Sequence, residues 1–136
     1  MTSRYAIAIH ILALIHLTPE NAGSSEAIAA SVGTNPVVVR NVIGLLRRAG
    51  LLKTQQGVAG AELIHSPRDI SLLEIYRAVE VRESVFKVHE NPHPQCPVGS
   101  RIQGALETVF GEAQRAMEAE LEGLTLSDVE KELALA

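Results

Sequence analysis

The chain has 136 residues, 46% of them apolar, a formal net charge of −4 and a single cysteine, Cys96. That length suits one domain with an added assembly element. One cysteine excludes an intramolecular disulfide framework and fits a reducing compartment. With no Trp, two Tyr and two Phe, the core has to be aliphatic.

The negative total argues against nucleic acid, but the distribution reverses that reading. Residues 1–66 carry a net +2 and residues 67–136 a net −6. A basic N-terminal part and an acidic C-terminal part imply two jobs, one of them facing an anion.

The first apolar run, Tyr5–Leu17, is shorter than the roughly 20 residues a membrane span needs. His10 and His16 interrupt it, and no small-residue cleavage site follows, which argues against a signal peptide. It is expected as a helix over residues 3–17, buried on most sides, with both histidines partly buried rather than ligating. With no targeting signal, the cytoplasm is the default compartment and no membrane is expected. Ser24 or Ser25 then caps a short helix over 26–32, with Ile28, Ala29 and Val32 inward, and Gly33 stops it.

The stretch Thr34–Gly50 is a helix with both ends marked. Asn35 is a good N-cap and Pro36 suits the first helical position. Val39, Val42, Ile43 and Leu46 make an apolar stripe. Gly50 can close the helix in the left-handed conformation. The opposite face carries Val37, Val38, Arg40, Asn41, Gly44, Arg47 and Arg48, and no acid occurs anywhere from Ala27 to Ala61. Two helices joined by a tight glycine-containing turn are the helix-turn-helix signature. Leu51–Gln55 and Ala61–His65 then read as strands of a hairpin whose tip holds Gln56, Gly57 and Gly60. The predicted class is mainly α: a winged helix-turn-helix with a two-stranded β wing.

Ser71 with Glu74 makes a capping box for a fourth helix ending near Glu80. Residues 81–97 form a connector rich in Pro and His. A long helix is predicted from Val98 to Gly123, nearly 40 Å at about 1.5 Å per residue. Its stripe of Val98, Ile102, Leu106, Val109, Ala113, Met117 and Leu121 exceeds what one small domain needs, so it is expected to pair with a second subunit. Gly104 and Gly111 lie inside it. Thr125 with Asp128 caps a last short helix. The expected division is a DNA-binding domain over 1–80, the connector over 81–97 and dimerisation helices over 98–136.

In order and spacing, SRYAIAIHILAL, the helix ending in LLRRAGLL, the wing GVAGA and DISLLEIYRAVE resemble the Rrf-two family of bacterial winged-helix regulators, which includes IscR, NsrR and CymR. VHENPHPQCPVG followed by IQGAL is similar to its YwnA-like branch. The resemblance covers nearly the whole chain. It implies a homodimer held by the long helix on a partly palindromic operator in double-stranded DNA, and usually repression. It also implies reading positions at Asn35, Val37, Arg40 and Asn41. Arg40 suits guanine, Asn41 adenine and Val37 a thymine methyl. Ser24 and Ser25 are expected at phosphates, as are Arg47 and Lys53, while Arg48 is read as complementing the helix dipole. Gln56 and Gly57 form the wing contact, with Gln56 where many members have Arg. Asn35 also has a plainer role, as a cap.

Some members hold a [2Fe–2S] cluster through three cysteines in the loop before the long helix. Here that loop offers Cys96 alone, so no cofactor is expected. Cys96 is a candidate redox or electrophile sensor through the helix dipole, or else a plain loop residue. His89, His93 and Cys96 have ligand-like spacing, but prolines hold the loop extended and a closed site needs a fourth ligand from elsewhere. No catalytic motif is placed, so an enzyme is not expected. The signal, whether a small molecule or a redox change, is left open. The alternative function is a winged-helix protein-interaction module with weak DNA binding.

Overall fold

The computed structural model describes residues 3–55, 60–80, 85–90 and 92–135. Helix α1 (Ser3–Leu17) leads through a 3-10 turn at Pro19–Asn21 to α2 (Ser25–Val32) and α3 (Pro36–Arg48). Strands β1 (Leu52–Thr54) and β2 (Ala61–Leu63) pair antiparallel, with Leu52 opposite Leu63 and Lys53 opposite Glu62. A 3-10 turn at Pro67–Asp69 precedes α4 (Leu72–Val79), followed by α5 (Ile102–Glu122) and α6 (Leu126–Leu133). This is the winged helix-turn-helix with a two-stranded wing. No single helix among the described residues is long and apolar enough to cross a membrane.

The element ends follow from local chemistry. Ser24 Oγ accepts from the Ala27 N–H at 3.0 Å, and Asn35 Oδ1 accepts from the Val38 N–H at 3.0 Å. At the end of α3, Leu51 N–H donates to Leu46 O and Gly50 N–H to Arg47 O, both at 3.0 Å. These are the two bonds of a Schellman closure, and Gly50 takes the positive φ of 78° that it needs. Because that closure uses the Leu51 N–H, β1 starts at Leu52 rather than Leu51. The second strand stops at Leu63, short of the expected His65, as Ser66 begins the Pro67 turn.

The core is aliphatic, as composition demands. Ile11 and Leu12 of α1, Val39, Val42 and Leu46 of α3, Ile70, Ile75 of α4 and Leu126 of α6 are fully buried. Two tyrosines join them: Tyr5 and Tyr76 meet edge to face, and Tyr5 O–H donates to Leu72 O at 2.7 Å. Both capping boxes form, on Ser71–Glu74 and Thr125–Asp128. The two capped starts lie side by side, since Leu72 N–H donates to Leu124 O and Leu126 N–H to Ile70 O. Thus α6 returns to the first core, where Glu130 also holds His16 at 2.8 Å. Of the two histidines expected to be partly buried, His10 is exposed, whereas His16 keeps 43% of its side chain exposed and lies against Glu130 of α6.

The long helix begins at Ile102, not Val98. Residues 97–101 form turns in which Ser100 N–H donates to Cys96 O at 2.8 Å and Ser100 Oγ to Pro97 O at 3.2 Å. Gly99 sits so close to the His93 carbonyl that any side chain there would collide with it. At 21 residues, α5 is therefore about 31 Å long. The described part of the connector lies along it. Val85 N–H donates to Gln114 Oε1 at 3.1 Å, and Phe86 stacks on Phe110 at 5.3 Å.

Candidate nucleic-acid interface

The site is built by α2, α3 and the wing strands. At the break between them α2 and α3 turn by 103°, within the range of helix-turn-helix pairs. The Gly33 φ of 83° makes that turn, and the Asn35 cap with Pro36 starts α3 cleanly. With Val39, Val42 and Leu46 committed to the core, the helix has no freedom to rotate. Its outer face then presents Val37, Arg40, Asn41, Arg47 and Arg48 to solvent, Val37 being 58% exposed. Val38, expected on that face, is half-buried and packs against the core.

Ser24, Ser25, Arg40, Arg47 and Thr54 line one cleft of about 350 Å³ where α2, α3 and β1 meet. Arg47 donates to Thr54 Oγ1 at 3.2 Å, which ties α3 to the wing. Arg40 lies 3.8 Å from Glu26, and Lys53 lies 3.5 Å from Glu62. Lys53 and Thr54 line a second cleft beside the wing with Gln55 and Glu62. Arg48 folds back along α3 to cover Gly44. The Asn35 oxygen is engaged in the cap. The expected wing contacts Gln56 and Gly57 lie outside the described residues. Chemically this face offers hydroxyls, guanidiniums and an amide side by side, the donor set that phosphates and base edges accept from.

Sequence reasoning missed Thr54, Glu26 and Glu62 as members of this surface. Glu62 was misplaced by the expected strand ends, which set it opposite Thr54, whereas the observed register sets it opposite Lys53. Glu26 and Thr54 needed the helix–helix and helix–wing geometry.

The connector tells a different story. Cys96 is exposed, and the backbone N–H groups of Gly99 and then Val98 hold its thiol below the usual thiol range. This corrects the expectation of a helix-dipole effect, because α5 starts six residues later. His93 Nδ1 accepts from the Gln95 N–H at 3.1 Å. No group of three His, Cys, Asp or Glu among the described residues is placed to hold a metal ion, so His89, His93 and Cys96 do not form a site within one chain. An iron–sulphur cluster takes cysteine or mixed cysteine and histidine donors in a set of four. One exposed cysteine with a hydrogen-bonded histidine does not fit that group.

On α5 no residue is fully buried. Val109 is 58% exposed, Ile102, Leu106 and Ala113 are half-buried, and Met117 and Leu121 pack partly against the core of their own chain.

The same architecture recurs in known proteins. The chain is 56% identical over 129 residues to YwnA of Bacillus subtilis, which bears the name of an HTH-type transcriptional regulator; the match covers 95% of this chain and 96% of that protein. A crystal structure described as a DNA-binding protein matches with a TM-score of 0.75 at 51% identity, covering 93% of this chain and 98% of the other. The structure of CymR, described as the global cysteine regulator of B. subtilis, matches with a TM-score of 0.66 at 25% identity, covering 96% and 95%. The Rrf2 family profile, described as an iron-dependent transcriptional regulator, matches residues 1–132. With the family profile spanning nearly its full length and 56% identity to one of these relatives, the chain belongs to the Rrf2 (Rrf-two) family of transcriptional regulators.

Proposed function

We propose that the protein is a homodimeric repressor that binds a partly palindromic operator in double-stranded DNA. Residues 1–80 make the DNA contacts, residues 98–136 hold the two subunits together, and residues 81–97 connect them. Arg40 and Asn41 read base edges, with Val37 beside them against a thymine methyl. Ser24, Ser25, Arg47 and Lys53 position the protein on phosphates, and Gln56 with Gly57 carries the wing contact. The protein works without an iron–sulphur cluster, and Cys96 is the candidate point at which a signal acts. The observation that carries this reading is the acid-free outer face of α3 next to a cleft of hydroxyls and guanidiniums.

The test is selection of bound genomic fragments, then footprinting of the best fragment at two salt concentrations. A protected palindrome with half-sites about one helical turn apart is the expected result. Overlap of that site with a promoter, and loss of transcript when the protein is added in vitro, would establish repression. Weak retention without sequence preference would overturn the operator reading. It would favour the second reading, a protein-interaction module, which the net charge of −4 supports.

A further inference from the structure

We propose that Glu26 and Glu62 are built-in carboxylates of the DNA face that occupy Arg40 and Lys53 and so hold down binding to DNA of random sequence, and that Glu26, through the base-reading Arg40, is thereby a specificity-determining residue. The inference rests on the DNA-binding reading above. Between Asn21 and Leu63 the chain has two acids, and each stands against a cation of this face. Glu26 on α2 reaches Arg40 on α3 at 3.8 Å, and Glu62 on β2 reaches Lys53 on β1 at 3.5 Å. Each pair joins two elements rather than neighbours on one helix. All four side chains are more than half exposed, from 56% to 76%. Exposed pairs of this kind add little to stability, and solvent lets them part easily.

The consequence is electrostatic. A free surface cation that neutralises a phosphate releases a counterion from the DNA, which drives binding. A cation already held by a carboxylate exchanges one anion for another, and the displaced carboxylate is left close to the phosphates. On random DNA, Arg40 has a single phosphate to gain, so the exchange is nearly even. On an operator, Arg40 can instead take the two acceptors of a guanine, which outweigh the carboxylate. The penalty therefore falls more heavily on random DNA, and selectivity rises. Arg47 bonds a neutral hydroxyl, Thr54, and carries no such restraint.

The test compares Glu26→Gln and Glu62→Gln with the parent protein on a random-sequence duplex and on the selected operator, across a range of salt. Glu112→Gln, an exposed position on α5, controls for net charge. On random DNA, each of the two substitutions is expected to steepen the dependence of log affinity on log salt by about 0.9 and to raise affinity about fivefold near 0.1 M salt. For Glu26→Gln the operator should gain less, so that selectivity falls about threefold. For Glu62→Gln both duplexes should gain alike, because Lys53 meets phosphate on either. Glu112→Gln changes neither value, and an undiminished selectivity in Glu26→Gln would remove Glu26 from specificity. Unchanged salt slopes for Glu26→Gln and Glu62→Gln, or an equal gain from Glu112→Gln, would overturn the proposal. A parent protein that shows no preference for any operator would instead overturn the regulator reading. The slopes on random DNA would still decide this inference.

Discussion

Arg40, Asn41 and Arg47 stand on one helix, yet the proposed function gives them different work. Arg40 and Asn41 project from its first two turns, where a helix entering the major groove meets base edges. Arg47 lies in the last turn and bridges to Thr54 on the wing. Arg40→Ala or Asn41→Ala should lose roughly 1–3 kcal/mol on the operator and relax preference at one base position. Arg47→Ala should weaken all sequences alike and reduce the salt slope by about 1. Competition binding against single-base operator variants separates the two patterns; equal losses on every sequence from Arg40→Ala would remove it from base reading. Cys96 shows what two backbone N–H groups can do without a helix. Iodoacetamide should alkylate it with a pH midpoint below that of an ordinary thiol. Gly99→Ala, which must open the turn against the His93 carbonyl, should move that midpoint upward. An unmoved midpoint would show that the turn does not set the reactivity. Tyr5 is the buried counterpart. Burial, followed by the nearby Tyr76, pushes its phenol up to about 12. The folded state thus holds this proton more tightly than the unfolded chain does. Its contribution is complete below pH 10 and is lost as pH rises from 10 through 12. Tyr5→Phe should lower stability by about 1 kcal/mol near neutral pH and flatten that alkaline fall in urea titrations. A fall of the same steepness in Tyr5→Phe would assign it to another group.

At the scale of elements, what could be read in advance was what sequence neighbours decide. The caps at Ser24, Asn35, Ser71 and Thr125, the stops at Gly33 and Gly50, and the apolar stripe of α3 all depend on chemistry within four or five residues. The hairpin was legible from its glycines, though not its length, because the Schellman closure and the Pro67 turn each trim a strand. The start of α5 was not legible. A periodic stripe from Val98 suggested helix, but the tertiary fit of Gly99 against His93 wins locally over the stripe. The candidate site was half legible: its cations appeared in the sequence, but their partners Glu26 and Thr54 lie on other elements. The α5 glycines give an element-scale test. A Cβ at Gly104 would meet nothing within 4 Å in the chain. In an isolated subunit Gly104→Ala should therefore stabilise the helix by up to about 1 kcal/mol, the difference in intrinsic propensity. If a partner helix crosses closely at this position, the same change should loosen the dimer. Thermal melting combined with sedimentation at several protein concentrations distinguishes the outcomes. A higher melting temperature with unaltered association would show that no helix crosses at Gly104.

For the whole molecule, the central question is why a core completed by α1, α3, α4 and α6 carries a helix as long as α5. Its lower end is accounted for, since Met117 and Leu121 reach the core and Arg77 meets Glu118 at 3.5 Å. Its upper half is not: Val109 is 58% exposed, and Val98, in the turns that lead into the helix, is 67% exposed. Apolar side chains repeated along one face and left in water are what a pairing surface looks like before it pairs. The proposed DNA contacts explain why pairing would matter. Two recognition helices on one rigid body make the second half-site an intramolecular event, worth about 100-fold or more in affinity without any added contact. A carboxylate placed in the middle of that seam would be buried without a counter-charge, which strongly disfavours association. Val109→Glu should therefore halve the sedimenting mass. It should leave the melting of the single subunit nearly unchanged, because Val109 touches solvent there. It should also weaken operator binding by about 100-fold while sparing single half-sites. If Val109→Glu sediments like the parent and protects the same palindrome, α5 does not hold the subunits together, and the pairing surface must be sought on another face of the molecule.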